Sequence, residues 1–201
     1  DSYNTAVGHS AGLAVTTGVN NTLIGGEAGD AITTAGSNVA VGYKSLTTTT
    51  TGANNVAIGV LALEMNTTGA GNTALGREAL EANTTASNNT AVGLKAGELV
   101  TTGTENTLIG ALAGDATTTG DHNTAVGYHS LGANTTGDEN TAMGRAALFA
   151  NTTGDKNVAI GDHALSTNTT ADGNTAVGDN ALIANTTGAD NVAIGKASLD
   201  S

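Results

Sequence analysis

The sequence predicts an all-β protein, a parallel β-solenoid of about twelve 17-residue coils stacked one on another. The motif N-[TV]-[AL]-[VILM]-G recurs every 17 residues without insertion or deletion. Its β-branched Thr, Val and Ile favour strands, and the Gly that follows favours a turn. A 17-residue unit is too short to fold alone, so each unit must bury its apolar side against its neighbours. Twelve coils at the usual strand spacing give a rod roughly 55–60 Å long.

The composition excludes several classes of protein. The 201 residues include 29 Gly, four Tyr or Phe and no Trp, too few aromatic side chains for an ordinary enzyme core. A hydrophobic fraction of 38% disfavours disorder, and the absence of Pro excludes collagen. A net charge of −12 opposes nucleic-acid binding. No apolar run approaches the roughly 20 residues that cross a bilayer, so we expect no membrane insertion of this segment.

Each coil begins with Asn, four residues before the motif Gly. We predict a structural ladder in which each Asn side chain bonds to its equivalents one coil above and below. The alternative is that each Asn caps a turn of its own backbone. The column comprises Asn4, Asn21, Asn38, Asn55, Asn72, Asn89, Asn106, Asn123, Asn140, Asn157, Asn174 and Asn191.

Side chains alternate between the two faces of the strand that follows the Asn. We assign the positions three and one before Gly to the core, as in Val56 and Ile58. The intervening Ala, such as Ala57, then faces outward, and its small size predicts close approach to another backbone or chain.

The motif glycines are predicted to form corners that exclude a Cβ atom. They are Gly8, Gly25, Gly42, Gly59, Gly76, Gly93, Gly110, Gly127, Gly144, Gly161, Gly178 and Gly195. Four residues later stands Leu, as in Leu63, or else Gly at Gly12, Gly29, Gly97 and Gly114. Larger residues follow in three of these coils, Val15 after Gly12, Ile32 after Gly29 and Val100 after Gly97, which indicates partial compensation for lost core volume. The coil of Gly114 does not fit this pattern.

A Thr-Thr pair stands eight and nine residues after each of the first eleven glycines, ahead of a turn rich in Gly, Asp and Asn. Regular Thr arrays on a solenoid can order water, which makes an ice-binding solenoid an alternative function. Adjacent Thr residues point to opposite faces. An outward pair would therefore combine the first and third members of Asn-Thr-Thr, such as Asn134 and Thr136.

We find no sequence signature of a catalytic or cofactor-binding site. Among the four His residues, His129 and His163 share a column, but two coils place them ~10 Å apart, too far to bind one metal ion. We therefore predict no enzyme, no cofactor and no His metal site.

Acidic side chains form columns that leave Ca²⁺ binding open, since stacked turns rich in oxygen can bind this ion. Solvated surface residues are the favoured interpretation. The first column stands five residues after the motif Gly and contains Asp30, Glu64, Glu81, Glu98, Asp115 and Asp200. The second column lies in the turns and contains Asp121, Asp138, Asp155, Asp172 and Asp190.

The unit N-[TV]-A-[VI]-G-x-x-[AS] resembles the repeat of trimeric autotransporter adhesin heads of the YadA-like type. Residues 123–137, NTAVGYHSLGANTTG, are similar to repeats of bacterial and bacteriophage fibre proteins. The resemblance covers the whole chain. It implies a left-handed β-roll, three chains packed side by side, and attachment to host surfaces or rigid spacing.

We therefore expect residues 1–201 to form a single repeat array, a fragment of a longer fibre protein. The expected function is a non-enzymatic extracellular structural or adhesive module, on a cell surface or a virion fibre. Expected partners are further copies, in a homotrimer or an end-to-end filament, and a host or surface ligand. A self-assembling filament subunit is a further alternative. Contacts are expected from the variable residues after Gly, such as Tyr43, Arg77, Tyr128, Arg145 and Phe149.

Overall fold

The computed structural model describes residues 2–200, in which twelve three-residue strands form one parallel sheet. No helix that could cross a membrane occurs within that range. The strands are β1 Thr5–Val7, β2 Thr22–Ile24, β3 Val39–Val41, β4 Val56–Ile58, β5 Thr73–Leu75, β6 Thr90–Val92, β7 Thr107–Ile109, β8 Thr124–Val126, β9 Thr141–Met143, β10 Val158–Ile160, β11 Thr175–Val177 and β12 Val192–Ile194.

The strands stack in sequence order, and each pairs with the next in a register of one repeat. Val56 lies opposite Thr73, and Thr73 lies opposite Thr90. The chain therefore advances one strand per coil, about eleven turns in all. The predicted all-β parallel solenoid is confirmed.

Hydrogen bonds also link the coils outside the strands. The Leu63 N–H donates to the carbonyl of Ala79 at 3.0 Å, and the Thr50 N–H donates to Thr67 at 3.0 Å. Because these bonds recur along the array, neighbouring coils are joined around most of their perimeter. A coil of constant length is needed to keep the donors and acceptors aligned, which explains the absence of insertions.

The predicted orientation of the strands was wrong. The middle residue is the buried one, and Ala57 has no exposed surface, while its neighbour Ile58 is 37% exposed. The interior is shared with a second column, in which Leu63 is also fully buried. A coil this narrow accommodates one Ala and one Leu at these positions, so the larger strand residues face outward. The Ala column consequently packs inside its own chain.

The coil turns through residues in the left-handed backbone region, many of which are not glycine. Asn54 at the end of the third coil, and Leu61 and Leu63 in the fourth, have φ values of 60°, 61° and 52°. Bulky residues rarely adopt this conformation. Where Leu is absent from the Leu63 column, Gly takes its place with a similar φ, such as 56° at Gly29. Ile32 lies against that glycine, in line with the predicted volume compensation.

Candidate functional site

The Asn column lies at the entrance to the strands, and its members from Asn21 to Asn174 are at most 1% exposed. In a representative coil, the Oδ1 atom of Asn72 accepts the backbone N–H of Asn89 at 2.9 Å. Its Nδ2 atom donates to the carbonyl of Ala86 at 2.8 Å. The Asn72 side chain therefore joins its own coil to the next one. It also links the beginning of its coil to the end of the same coil. Direct amide–amide bonds are longer, as from Asn106 to Asn89 at 3.1 Å.

The motif glycines lie where the chain bends away from the strand, with φ between 121° and 144°. This region is almost restricted to glycine. A Cβ atom on Gly59 would overlap the carbonyl oxygen of Gly76 in the next coil. Backbone approach between coils therefore excludes a side chain at the first eleven of these glycines, while nothing lies against Gly195.

A second column of buried Asn side chains lies inside the solenoid. Asn151 donates to the Gly154 carbonyl at 2.9 Å and to the Oδ1 atom of Asn134 at 3.0 Å. This column was not predicted, although the Asn-Thr-Thr motif that recurs in six coils could have indicated it. The column consists of Asn66, Asn83, Asn134, Asn151 and Asn168, which are buried, and of Asn185, which is half-buried.

The Thr pair divides into an inner and an outer residue. The hydroxyl of the first Thr donates to the next coil, as from Thr67 to the carbonyl of Thr84 at 2.9 Å. The second Thr, such as Thr68, is exposed. Only one of the two Thr columns therefore offers free hydroxyl groups to a ligand.

The outer face of the sheet is a long surface without charge. Each of the twelve strands directs its first residue, Thr or Val, and its third residue, Val, Ile, Leu or Met, away from the core. The third residue is often well exposed, as in Ile58 at 37% and Ile109 at 38%. At the usual strand spacing the face is roughly 50 Å long. The third-residue column is apolar in all twelve strands, and extended apolar surfaces commonly mark interaction sites.

The acids five residues after Gly contribute to one close cluster among the described residues. The carboxylates of Glu78, Glu81 and Glu98 lie within 4.8 Å of one another. Lys95 bonds to Glu78 at 3.2 Å and to Glu98 at 2.9 Å, while Arg77 bonds to Glu78. Burial opposes the ionisation of Glu78, but hydrogen bonds from Lys95 and Arg77 outweigh it and lower its pKa. The protein's own cations thus meet much of the negative charge, and Ca²⁺ binding remains a prediction.

The turn acids form a hydrogen-bonded column. The Asp138 carboxylate accepts the backbone N–H of Asp121 at 2.7 Å, and Asp155 accepts that of Asp138 at 2.8 Å. These carboxylate oxygens therefore satisfy backbone donors of the preceding coil. Asp190 lies one position later in its coil and does not continue the series.

Three of the five predicted contact residues, Tyr128, Arg145 and Phe149, come together in one region across the eighth to tenth coils. The Tyr128 and His129 rings meet edge to face with centroids 4.5 Å apart, and His129 and Phe149 do so at 5.6 Å. Arg145 bonds to Asp162 at 2.8 Å, and this bond lowers the pKa of the carboxyl. Tyr43, in the third coil, and Arg77, in the fifth, lie outside this region.

Tyr43 and His122 lie apart from this region, whereas His163 lies within it. Tyr43 stands beside Lys44, whose Nζ atom is 5.6 Å from the ring centroid. The Nε2 atom of His122 lies 3.2 Å from the Glu105 carboxylate, and the Nδ1 atom of His163 lies 3.0 Å from the Asp162 carboxylate.

Comparison with known proteins gives no match: no protein-family model fits the chain, and neither a curated protein nor a solved structure matches it significantly.

Proposed function

We propose that this chain is a non-enzymatic extracellular fibre module, which forms a rigid rod and associates with further copies through the outer face of its sheet. The observation that carries the proposal is the uncharged face of the twelve strands. The chain has 24 charged residues, yet none occupies an outward strand position. A surface kept free of charge over its whole length favours burial against another apolar surface.

The rod itself suits mechanical work. Backbone bonds, the two Asn columns and the inner Thr column all join consecutive coils, so bending or extension strains many bonds together. Outward variable residues repeat along the rod and allow multivalent contacts with a host or surface ligand. The resemblance to adhesin heads and fibre repeats supports a place on a cell surface or a virion. It also supports a homotrimer in preference to an end-to-end filament.

Sedimentation velocity and small-angle scattering test the association. We expect the unaltered chain to form a defined oligomer. Replacing Ile58 and Ile109 by Lys should yield monomers with unchanged β-type circular dichroism, because buried unpaired charges oppose association. Thr68→Lys with Thr102→Lys is the matched control, since it adds the same charge to the exposed Thr column. An unaltered chain that stays monomeric at high concentration would overturn the proposal.

Ice binding is a second candidate, because the same face presents regular Thr or Val and aliphatic columns. The expected outward pair of Asn134 and Thr136 is not formed, because Asn134 is fully buried. The hydroxyl of the first Thr of a pair, as in Thr67, is already bonded to the next coil, so the Thr pair is a poor ice-binding surface. Thermal hysteresis and ice-crystal shaping distinguish the two functions. Hysteresis from a monomer, lost on Ile58→Lys and retained on Thr68→Lys, would favour ice binding. An oligomer without hysteresis would favour the fibre.

A further inference from the structure

We infer that the eighth to tenth coils carry a binding pocket for a single uncharged aromatic ring. The pocket is a depression of about 370 Å³ with an almost wholly apolar lining. Tyr128, His129 and Phe149 form its aromatic part, and Ala146 and Ala150 contribute small apolar surfaces. None of these five is a strand residue. The inference therefore does not depend on the proposed association through the sheet.

The pocket arises where the repeat departs from its usual surface. Five residues after the motif Gly, most coils carry an acid or a small polar or aliphatic residue, but here Gly132 is followed one coil later by Phe149. A Cβ atom on Gly132 would lie 3.0 Å from the Cε2 atom of Phe149. The absence of a side chain at Gly132 thus allows the Phe149 ring to pack close to the coil. Two residues after the motif Gly, Ala146 likewise leaves open space in the middle coil.

The arrangement of rings favours an aromatic ligand. His129 stands edge to face with both Tyr128 and Phe149, at interplanar angles of 84° and 88°. Rings at right angles present both faces and edges, which are the surfaces that another ring contacts in stacked and T-shaped pairs. Phe149 and Tyr128 remain 41% and 54% exposed, so these surfaces are accessible.

The charges at the border favour a neutral ligand. Arg145 is the one cation with a permanent charge in the lining, and its guanidinium group is bonded to Asp162 at 2.8 Å. The Nδ1 atom of His163 also lies 3.0 Å from this carboxylate. An anionic ligand would compete with Asp162 for both groups. The scarcity of polar lining also disfavours a sugar, whose hydroxyl groups need hydrogen-bonding partners.

An NMR titration tests the inference, because Phe149 is the only Phe in the chain and a Phe-labelled sample reports on the pocket alone. The probes are p-cresol, N-acetyl-tyrosinamide and methyl glucoside. We expect saturable shifts of the Phe149 ring signals with an aromatic probe, at a Kd of about 1 mM for a ligand of this size. Binding of both aromatic probes indicates that the ring suffices. Binding of N-acetyl-tyrosinamide alone indicates a polypeptide side chain as the source, and binding of p-cresol alone indicates a small molecule.

Variants separate the pocket from general surface effects. Tyr128→Ala should weaken the binding about tenfold, because it removes one aromatic wall. Tyr43→Ala is the matched control, since Tyr43 occupies the same repeat position and lies outside the pocket. Its Kd should equal that of the unaltered chain. The absence of saturable shifts with either aromatic probe would overturn the inference, as would equal affinity for methyl glucoside.

Discussion

Leu108 fills the space beside Gly114, where an added Cβ atom would stand 2.7 Å from the Leu108 Cδ2 atom. The regular coils have Ala in the strand and Leu at the later position, as in Ala40 and Leu46. In the coil of Leu108 and Gly114, the large side chain occupies the strand position and the small residue occupies the later position. The interior therefore keeps its volume through a pair of positions that lie six residues apart in the sequence.

This exchange of side-chain size predicts that the loss of stability caused by a substitution at either position is partly reversed when the other position is also substituted. Leu108→Ala leaves a cavity and should destabilise the chain by about 2–5 kcal/mol. Gly114→Leu alone overfills the same space and should also destabilise it. Combined, the two restore the regular arrangement and should recover at least about 2 kcal/mol of the summed loss. Urea unfolding at equal protein concentration measures all three variants, and strictly additive losses would contradict the proposed exchange.

The loss of stability caused by substituting a corner glycine should depend on whether the next coil lies against it. Gly59→Ala places a Cβ atom against the Gly76 carbonyl at an unfavourable φ of 143°, and should cost about 3 kcal/mol or more. Gly195 has a φ of 121° but no atom within 4 Å of an added Cβ. Gly195→Ala should therefore cost only the backbone strain, about 1–3 kcal/mol. Thermal unfolding of both variants checks the order, and equal losses would show that contact between coils contributes nothing.

The fold could be predicted from the sequence because the constant 17-residue spacing of the motif determines how the coils stack. Stacking Asn55 on Asn72 also places Val56 on Thr73, and so every other position follows. The face of the strand was not predictable from alternation alone. Alternation distinguishes two faces but does not say which is inside, and Ile58 looks like a core residue until the width of the coil is known.

Two further features depend on three-dimensional contacts. The left-handed conformation of Leu63 could not be predicted from its residue type, because Leu rarely adopts it. The occurrence of Gly29 and Gly97 in the same column was nevertheless a usable signal. The aromatic pocket joins residues from three coils. Tyr128, Phe149 and His163 are distant in sequence, and only the stacking of coils brings them together.

The buried Asn ladder predicts a strong effect from a nearly isosteric change. Asn72→Asp retains the acceptor for Asn89 but directs a carboxylate oxygen at the Ala86 carbonyl. Burial of this charge should cost about 3–5 kcal/mol at neutral pH, and less in acid as the carboxyl is protonated. Asn88→Asp is the control, because Asn88 is exposed and Asp190 occupies the same column. Its effect should stay within about 0.5 kcal/mol. A matching loss from the two variants would rule out a special role for the ladder.

Glu81 predicts a pH-dependent penalty. Burial raises the pKa of its carboxyl above the ordinary value of 4.5, and the neighbouring carboxylates Glu78, Glu64 and Glu98 raise it further. An acid with a raised pKa in the folded state destabilises the fold above that pKa, and the penalty disappears below the unfolded value. Glu81→Gln should therefore stabilise the chain at pH 7, by less than about 1 kcal/mol because the site is partly exposed. The gain should vanish near pH 4.

The control for this prediction is Glu139→Gln, a change of the same charge at an exposed turn residue. Urea unfolding at pH 7 and pH 4 measures the free energy of unfolding of both variants. The difference between the two variants cancels any general effect of acid on the stability of the chain. Since Lys95 bonds to Glu78 and Glu98, removal of the Glu81 charge should leave those ion pairs intact. A Glu81→Gln variant that is less stable than the unaltered chain at pH 7 would mean that the ionised Glu81 side chain strengthens the cluster through attraction to Lys95.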